Sequence, residues 1–151
     1  RAELLSAVHT AGEESTEVMV ETLIQGTEVT CGIFMHQGEP TILEITEVVT
    51  DNAFFDFDAK YNGQVEEITP ARIPQEQAEI IRKLTKQIYA YVQARGIIRV
   101  DYIIEKDGYP TLLEVNTTPG MTPTSFIPQQ VKAAGRTMEE VITEIIQMSL
   151  S

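Results

Sequence analysis

The sequence feature that most constrains the fold is a hairpin signal within residues 98–120. The pair Asp107-Gly108 separates two runs in which apolar and polar residues alternate. An Asp-Gly pair in this setting is a strong signal for a two-residue β-hairpin turn. Because side chains alternate between the faces of a strand, one face of the hairpin is predicted to join the core, and its members are Val100, Tyr102, Leu113 and Val115.

The other face of the predicted hairpin is polar. With a two-residue turn, Asp101 lies directly opposite Glu114, and Arg99 lies opposite Asn116. Directly opposed carboxylates repel each other, so this pairing requires a proton or a cation between them. Oxygen ligands of this kind suit Mg²⁺, Mn²⁺ or Ca²⁺. Acidic residues are also common on solvated strand faces, and spacing alone leaves both interpretations open.

The predicted pairing depends on the length of the turn. A three-residue loop would move Glu114 to the face opposite Asp101 and would put Leu113 in its place. The face predicted to be core would then be mixed. The cleaner apolar face favours the two-residue turn.

Composition limits the classes of function. The chain of 151 residues fits one domain with a sizeable core. It has 23 acidic against 11 basic residues and a formal net charge of -12. Such a charge argues against nucleic-acid or anionic-membrane partners. A phosphate-bearing substrate would therefore need metal ions or basic groups from elsewhere.

The single cysteine and the chain ends give further expectations. Cys31 lies in an apolar run, which predicts a buried core thiol and excludes an internal disulfide or a Cys-rich zinc site. A reduced, cytoplasmic setting is consistent with this. No apolar run approaches the length of a membrane span, and no signal peptide is visible. Because the chain starts at Arg1, we expect it to be part of a longer protein.

Hydrophobic periodicity and turn residues predict an α+β fold. The expected architecture is a mainly antiparallel sheet with helices packed on one face, in which the first three strands form a meander. Gly96 is expected to cap the main helix, and Thr137 with Glu140 forms a capping box. The predicted helices cover residues 2–11, 75–95, 127–134 and 138–150, and the strands before the hairpin cover residues 17–24, 28–36, 41–50 and 65–69.

Two loops join the polar hairpin face as a predicted site. Residues 116–125 are rich in small hydroxyl residues and contain Gly120, where a backbone N–H can approach a ligand closely. Residues 51–64 break every period and combine four aromatic residues with Asp56, Asp58 and Lys60. A loop of this length inside a compact domain is usually functional or disordered, and its aromatic content argues against disorder. It is predicted to close as a lid. Each loop also has an ordinary structural explanation.

Four segments together carry a family resemblance. They read VMVETLIQGTEV at 18–29, FFDFDAKY at 54–61, RVDY at 99–102 and LLEVNTTPGMTPTS at 112–125. In this order they closely resemble the D-alanine–D-alanine ligases, which are ATP-grasp enzymes. The resemblance runs through the whole chain, and EVNTTPGMT is its most specific segment.

The resemblance implies a role for each matching residue. Asp101, Glu114 and Asn116 match the ligands of two Mg²⁺ ions, with Mn²⁺ as an alternative. At the acyl-transfer centre, Arg99 matches a residue that stabilises charge, and Gly120 matches a backbone N–H donor. Ser125 and the backbone of Phe126 match the site of the second D-alanine carboxylate. For the nucleotide, the implied residues are Glu21 on the adenine side, Glu28 at the ribose, Phe54 near the adenine, Lys60 at the phosphates and Tyr61 as the latch of the lid.

The implied reaction is ATP-dependent formation of D-alanyl-D-alanine through an acyl phosphate, in the cytoplasm, for peptidoglycan. The family also has an N-terminal domain and a central segment with two ATP-gripping lysines, which nothing in this sequence matches. Residues 1–151 are therefore expected to be the C-terminal ATP-grasp portion of a full-length homodimer. Alone they are expected to be inactive, to expose apolar surface and to self-associate.

Two competing functions stay open at this point. Another ATP-grasp ligase, for example one that forms D-alanyl-D-lactate, would keep the fold and change the substrate. Tyr61 speaks against the ester-forming relatives, which tend to carry His in that part of the lid. A nucleotide- or cation-binding module without catalysis is the second alternative, and the intact set Arg99, Asp101, Glu114 and Asn116 speaks against it.

Overall fold

The structure, a computed structural model, describes residues 2–50 and 65–150. The elements within these ranges are α1 (Ala2–Glu14), β1 (Gly26–His36), β2 (Glu39–Thr50), β3 (Val65–Ile68), α2 (Gln75–Tyr91), β4 (Ile98–Glu105), β5 (Pro110–Asn116), α3 (Phe126–Ala133) and α4 (Met138–Leu150). The strands form a five-stranded sheet in the order β3-β2-β1-β4-β5. All neighbouring strands are antiparallel, so the predicted α+β class with an antiparallel sheet is confirmed.

The helices pack on both faces of the sheet, and the prediction of a single helical face is wrong. Both faces of the central strand β1 are buried: Cys31 points to one face and Phe34 to the other, and neither is exposed. Helix α2 covers the Cys31 face, where its Ile81 and Tyr89 are buried. Helices α3 and α4 cover the Phe34 face over one part of the sheet. The rest of that face carries the polar side chains of the hairpin.

The core therefore has two layers. The larger includes Val29, Cys31, Ile33, Ile81, Tyr89, Val100 and Tyr102, and the smaller includes Phe34, Leu43, Ile97, Ile127, Val131 and Val141. The prediction that Cys31 is a buried core thiol is confirmed. Burial raises the pKa of Cys31 to about 12, so the thiol stays protonated and unreactive at neutral pH.

The strand predicted over residues 17–24 is wrong. Residues 15–25 have no regular secondary structure, and β1 begins only at Gly26. The edge of β1 that this strand would have occupied is paired with β4 from Gly26 to Ile33. The predicted meander is therefore reduced to the β1–β2 hairpin. The alternation of apolar and polar residues favours a strand over residues 17–24. In the structure, however, β4 of the β4–β5 hairpin pairs with β1 instead.

The central hairpin reaches its predicted pairing by another route. Its turn has three residues: the Gly108 N–H donates to the Glu105 carbonyl, and the Glu105 N–H donates to the Tyr109 carbonyl. Gly108 has a φ of 87°, the left-handed conformation that glycine adopts without strain. The pairing then shifts by one residue between Asp101 and Tyr102.

The shift is a β-bulge at Leu113. Tyr102 pairs with Leu112, and Asp101 pairs with Glu114, so Leu113 is the extra residue. Its side chain is 45% exposed, and the prediction that Leu113 belongs to the core is wrong. The turn and the bulge displace the pairing in opposite directions. Asp101 consequently faces Glu114, although the two-residue turn was wrong.

The ends of α1 and α2 differ from the prediction, and the start of α4 agrees with it. Helix α1 continues through Gly12 to Glu14. Helix α2 ends at Tyr91, before the predicted Gly96, and Gln93 adopts the left-handed conformation with a φ of 53°. The capping box before α4 is confirmed, since Thr137 and Glu140 exchange hydrogen bonds of 2.8 and 3.2 Å.

Apolar side chains are exposed at the start of the chain. Leu5 in α1 and Met19 and Val20 in the following segment are each more than 60% exposed, at 69%, 79% and 63%. The prediction that the chain exposes apolar surface is confirmed, while self-association stays a prediction. Among residues 2–50 and 65–150, no helix combines the length and apolar character needed to cross a membrane.

Candidate functional site

An ion pair on β4 forms the centre of the candidate site. The Arg99 guanidinium donates to both carboxylate oxygens of Asp101, with Nε–Oδ1 and Nη2–Oδ2 distances of 2.9 and 2.8 Å. The two residues are next-but-one neighbours on the strand and so share its polar face. Their side chains are only 16% and 14% exposed. The pair is therefore held in a largely desolvated position, where charge-assisted hydrogen bonds are strong.

Strand β5 brings two further oxygen donors to this face. Glu114 pairs with Asp101 and Asn116 pairs with Arg99, as the sequence predicts. The Glu114 carboxylate lies 3.9 Å from Arg99 and is 59% exposed, so it can turn towards a ligand. The Asn116 side-chain oxygen accepts a hydrogen bond of 3.0 Å from the Thr118 backbone N–H. This contact fixes the amide beside the loop that follows β5.

The surroundings keep Arg99 charged. Burial acts to lower the pKa of its guanidinium, but the hydrogen bonds to Asp101 and the charges of Asp101, Glu114 and Glu28 outweigh it, and the pKa is raised. The guanidinium also lies over the Phe126 ring, with 5.1 Å between the guanidinium carbon and the ring centroid. Such cation–π contacts hold a guanidinium plane in one orientation. Phe126 thus contributes its ring, in addition to the predicted backbone contact.

The loop after β5 leads into the N-terminus of α3 beside this arginine. Ser125 occupies the N-cap position, and its hydroxyl lies 2.8 Å from the Thr122 hydroxyl. A Cβ atom on Gly120 would lie 2.7 Å from the Ser125 Oγ. A larger residue at this position would therefore require the Ser125 hydroxyl to move. The structure therefore brings Gly120, Ser125 and Phe126 together, and unpaired backbone N–H groups at a helix N-terminus suit a carboxylate.

Strand β1 completes the polar face on the other side of β4. Glu28 and Thr30 are opposite Ile103 and Asp101 in the β1–β4 ladder, and they share the face of Asp101. Glu28 thus lies on the predicted side of the site. Thr30 was not predicted. Its signal was the alternation of polar Glu28, Thr30 and Gly32 with apolar Val29 and Cys31, which defines the same face.

Of the remaining predicted nucleotide residues, the structure describes Glu21 alone. Glu21 is exposed in the irregular segment before β1. Phe54, Lys60 and Tyr61 lie outside the described residues. Their roles stay predictions from the family resemblance.

The donor set on β4 and β5 fits a hard divalent cation. Asp101, Glu114 and Asn116 offer only oxygen atoms, which is the chemistry that Mg²⁺ and Mn²⁺ prefer. Within residues 2–50 and 65–150, no group of three His, Cys, Asp or Glu side chains is arranged for a metal. These three donors would leave the other positions of a six-coordinate cation open to further ligands.

Comparison with known proteins is consistent with this geometry. The family model described as D-ala D-ala ligase C-terminus matches residues 1–147. The D-alanine–D-alanine ligase of Porphyromonas gingivalis is 64% identical over 150 residues, which cover 99% of this chain and 46% of that protein. The chain thus spans about half the length of the curated relatives it matches.

Solved structures show the same fold. The D-alanine–D-alanine ligase of Bacillus anthracis, complexed with ATP, has a TM-score of 0.80 at 36% identity and covers 99% of this chain and 48% of that one. The VanG D-Ala:D-Ser ligase of Enterococcus faecalis has a TM-score of 0.81 at 31% identity and covers 98% of this chain and 43% of that one. The chain is therefore similar to ligases whose named second substrates differ.

Proposed function

Because this chain belongs to the D-alanine–D-alanine ligase family, we propose that the full-length protein joins two D-alanine molecules at the expense of ATP. The observation that carries the proposal is the pairing of Asp101 with Glu114 beside the Arg99 guanidinium. Two opposed carboxylates favour a bound cation, and the Arg99 guanidinium beside them carries a permanent positive charge. An ATP-dependent acyl transfer needs both, because charge develops at the phosphates and at the acyl oxygen.

In the proposed reaction, a carboxylate oxygen of the first D-alanine attacks the γ-phosphorus of ATP. This step gives an acyl phosphate and ADP. The amine of the second D-alanine then attacks the acyl carbon and releases a proton, the C–O bond to phosphate breaks, and inorganic phosphate leaves. A carboxylate is a poor electrophile until its oxygen has become such a leaving group.

Asp101, Glu114 and Asn116 are the proposed ligands of two Mg²⁺ ions, with Mn²⁺ as a substitute. Bound there, Mg²⁺ would neutralise negative charge on the phosphates of ATP. Asp101 and Glu114 face each other across two strands, and Asn116 lies further along β5 towards the loop. The set is arranged along the edge of the sheet, which suits a ligand as extended as a triphosphate.

Arg99 and the N-terminus of α3 would hold the reacting groups. The guanidinium, held by Asp101 and the Phe126 ring, would stabilise the tetrahedral oxyanion together with the Gly120 backbone N–H. The N-cap at Ser125 with the Phe126 N–H is the proposed site of the second D-alanine carboxylate.

For the nucleotide we propose the roles that the resemblance implies. Glu28 would bind the ribose hydroxyls and Glu21 the adenine side. Phe54 would pack near the adenine. Lys60 would contact the phosphates, and Tyr61 would latch a lid that keeps water from the acyl phosphate.

We further propose that residues 1–151 are the C-terminal portion of the ATP-grasp module. The relatives are about twice as long as this chain, and the remainder would complete the grip on ATP and supply the first D-alanine site. The 151-residue chain alone is then inactive, and the full-length protein acts in the cytoplasm, as a homodimer, in peptidoglycan synthesis. Phosphate release by this chain alone above background, with MgATP and D-alanine, would contradict this part.

The central test is Glu114→Gln in the full-length protein, measured by phosphate release with D-alanine and MgATP. We expect a loss of at least about 100-fold in kcat with little change in ATP affinity, because an anionic ligand of the catalytic Mg²⁺ ions is replaced by a neutral amide. Glu105→Gln, near the hairpin tip on β4, is the matched control and should keep its activity. Full activity of Glu114→Gln, or equal loss in both variants, would refute the assignment.

A second candidate differs only in the second substrate. The similarity to a D-Ala:D-Ser ligase favours testing it. Initial rates of the full-length protein with D-alanine, D-serine and D-lactate as second substrate decide between the candidates. The proposed function requires the highest kcat/KM for D-alanine.

A further inference from the structure

A buried hydroxyl beside the ion pair is not used by the fold. Thr30 is 2% exposed, and its Oγ1 has no hydrogen-bond partner among the residues that the structure describes. Other buried threonines of the described chain differ from it. The Thr46 hydroxyl bonds to Thr69, and the Thr85 hydroxyl bonds to Tyr102. A buried hydroxyl without a partner destabilises a fold, so its position calls for a physical reason.

Its position in the sheet is next to Asp101. Thr30 and Asp101 are directly opposite in the antiparallel β1–β4 ladder. Both point to the polar face, because Val29 and Cys31 on either side of Thr30 point into the opposite core layer. Side chains of directly opposed residues on one face are in contact range. The Thr30 side chain therefore lies beside that of Asp101, the proposed metal ligand, on this face, with Thr46 of β2 on its other side.

The backbone around Thr30 is held in place by a residue from α3. The buried Gln130 donates to the Thr30 carbonyl at 3.1 Å and accepts the Gly32 N–H at 2.9 Å. These bonds fix the strand on both sides of the residue. The Thr30 hydroxyl can rotate about χ1, while the backbone of Thr30 stays opposite Asp101.

The Asp101 carboxylate must change its hydrogen bonds when it binds a cation. In this structure both of its oxygens accept N–H groups of Arg99. A metal ligand must turn a lone pair towards the cation, and ligating carboxylates are usually oriented by hydrogen bonds from neighbouring groups. Resting on the proposed function, we propose that Thr30 is a positioning residue whose hydroxyl donates a hydrogen bond to Asp101 and orients it as a metal ligand.

The ordinary alternative is that Thr30 is present only for its β-branched shape. Valine has the same shape without the hydroxyl. If the hydroxyl has no role, Thr30→Val removes the destabilising polar atom and leaves metal binding unchanged. If the hydroxyl orients Asp101, Thr30→Val weakens metal binding although the fold is as stable as before or more so. A general structural defect cannot produce this combination.

The experiment titrates Mn²⁺ into the full-length protein in the presence of ATP without D-alanine, with bound Mn²⁺ followed by electron paramagnetic resonance. Urea unfolding of the same variants is measured in parallel. Thr30→Val should weaken Mn²⁺ binding about 10-fold, the usual effect of removing a group that orients a ligand, with an unchanged or higher unfolding midpoint. Thr30→Ser, which keeps the hydroxyl, should bind Mn²⁺ within about 3-fold of wild type.

Thr46→Val on the neighbouring strand is the matched control. It loses bonds to Thr69 and Gln130, so its unfolding midpoint should fall while its Mn²⁺ affinity stays the same. Equal Mn²⁺ affinity of Thr30→Val and wild type would overturn the role of Thr30 alone. Absence of Mn²⁺ binding by wild type would overturn the proposed metal site and the role of Thr30 together.

Discussion

Gln130 connects helix α3 to the sheet through a buried polar network, and Gln130→Met tests this connection. The residue has no exposed surface. Its amide oxygen accepts the Gly32 N–H, and its amide nitrogen donates to the Thr30 carbonyl and the Thr46 hydroxyl. Methionine preserves the length and most of the volume of the side chain, so the substitution removes the hydrogen bonds with little change in packing.

The size of the effect follows from the position of Gly32. The β1–β2 pairing is irregular between Cys31 and Ile33, and Gly32 has no paired residue in β2. Gln130 supplies the partner that the ladder lacks. An unsatisfied buried N–H costs about 1–3 kcal/mol, and each further lost hydrogen bond about 1 kcal/mol. Thr46 keeps its bond to Thr69, so we expect a loss of roughly 2–4 kcal/mol in the free energy of unfolding.

Urea unfolding of the purified chain, followed by circular dichroism, measures this loss. With an m-value of about 2 kcal/mol/M, the midpoint should fall by about 1–2 M. Gln129→Met is the matched control, because Gln129 makes exposed contacts to Thr124 and Glu67 and should change stability by about 0.5 kcal/mol or less. A Gln130→Met midpoint equal to that of the control would refute the reasoning.

Two further predictions concern the anchoring of α4 and the larger core layer. Burial acts to raise the pKa of Glu144, but hydrogen bonds from His36 and Arg136 outweigh it, and the pKa is lowered. The stability from this carboxylate is present above its unfolded-state pKa of about 4.3 and is lost as the pH falls through the folded-state value. Glu144→Gln should therefore flatten the decline of unfolding free energy between about pH 5 and 3, and parallel curves would contradict this. Thr85→Val leaves the buried Tyr102 hydroxyl without its 2.8 Å partner and should cost about 1–3 kcal/mol, part of which the added Tyr102→Phe restores. Additive losses in the double variant would contradict the pairing.

The local alternation of apolar and polar residues was sufficient to predict the strand pairing at the candidate site. Alternation in β4 and β5 placed Asp101 opposite Glu114, although the turn was predicted one residue too short. The pairing was specified by which residues can face the core, and the chain accommodated the extra turn residue with a bulge at Leu113. Hydrophobic pattern therefore determined register more strongly than turn chemistry did.

What the sequence could not show depends on contacts between distant residues. Whether residues 17–24 pair with β1 is decided by the competing strand β4, which lies much later in the chain. The Gln130 contact to Gly32 joins residues 98 positions apart. No local periodicity encodes such a contact, and so the second helical face was missed.

The residues of the candidate site also differ in whether local sequence pattern predicts them. Strand pairing alone predicted Arg99, Asp101, Glu114 and Asn116. The composition of the loop 116–125 indicated Gly120. The family resemblance was needed for Ser125 and Glu28, because neither carries a distinctive local signal. Thr30 was reached by neither, since a threonine in a β-strand is the expected residue on propensity alone.

The bulge at Leu113 has a consequence for how this hairpin tolerates change. It lies between the turn at residues 106–108 and the Asp101–Glu114 pair, and it takes up a displacement of one residue before that displacement reaches the pair. The turn can therefore differ in length by one residue while Asp101 still pairs with Glu114. Its tip is accordingly a suitable position at which to insert a short tag or a spectroscopic reporter without disturbing the carboxylates.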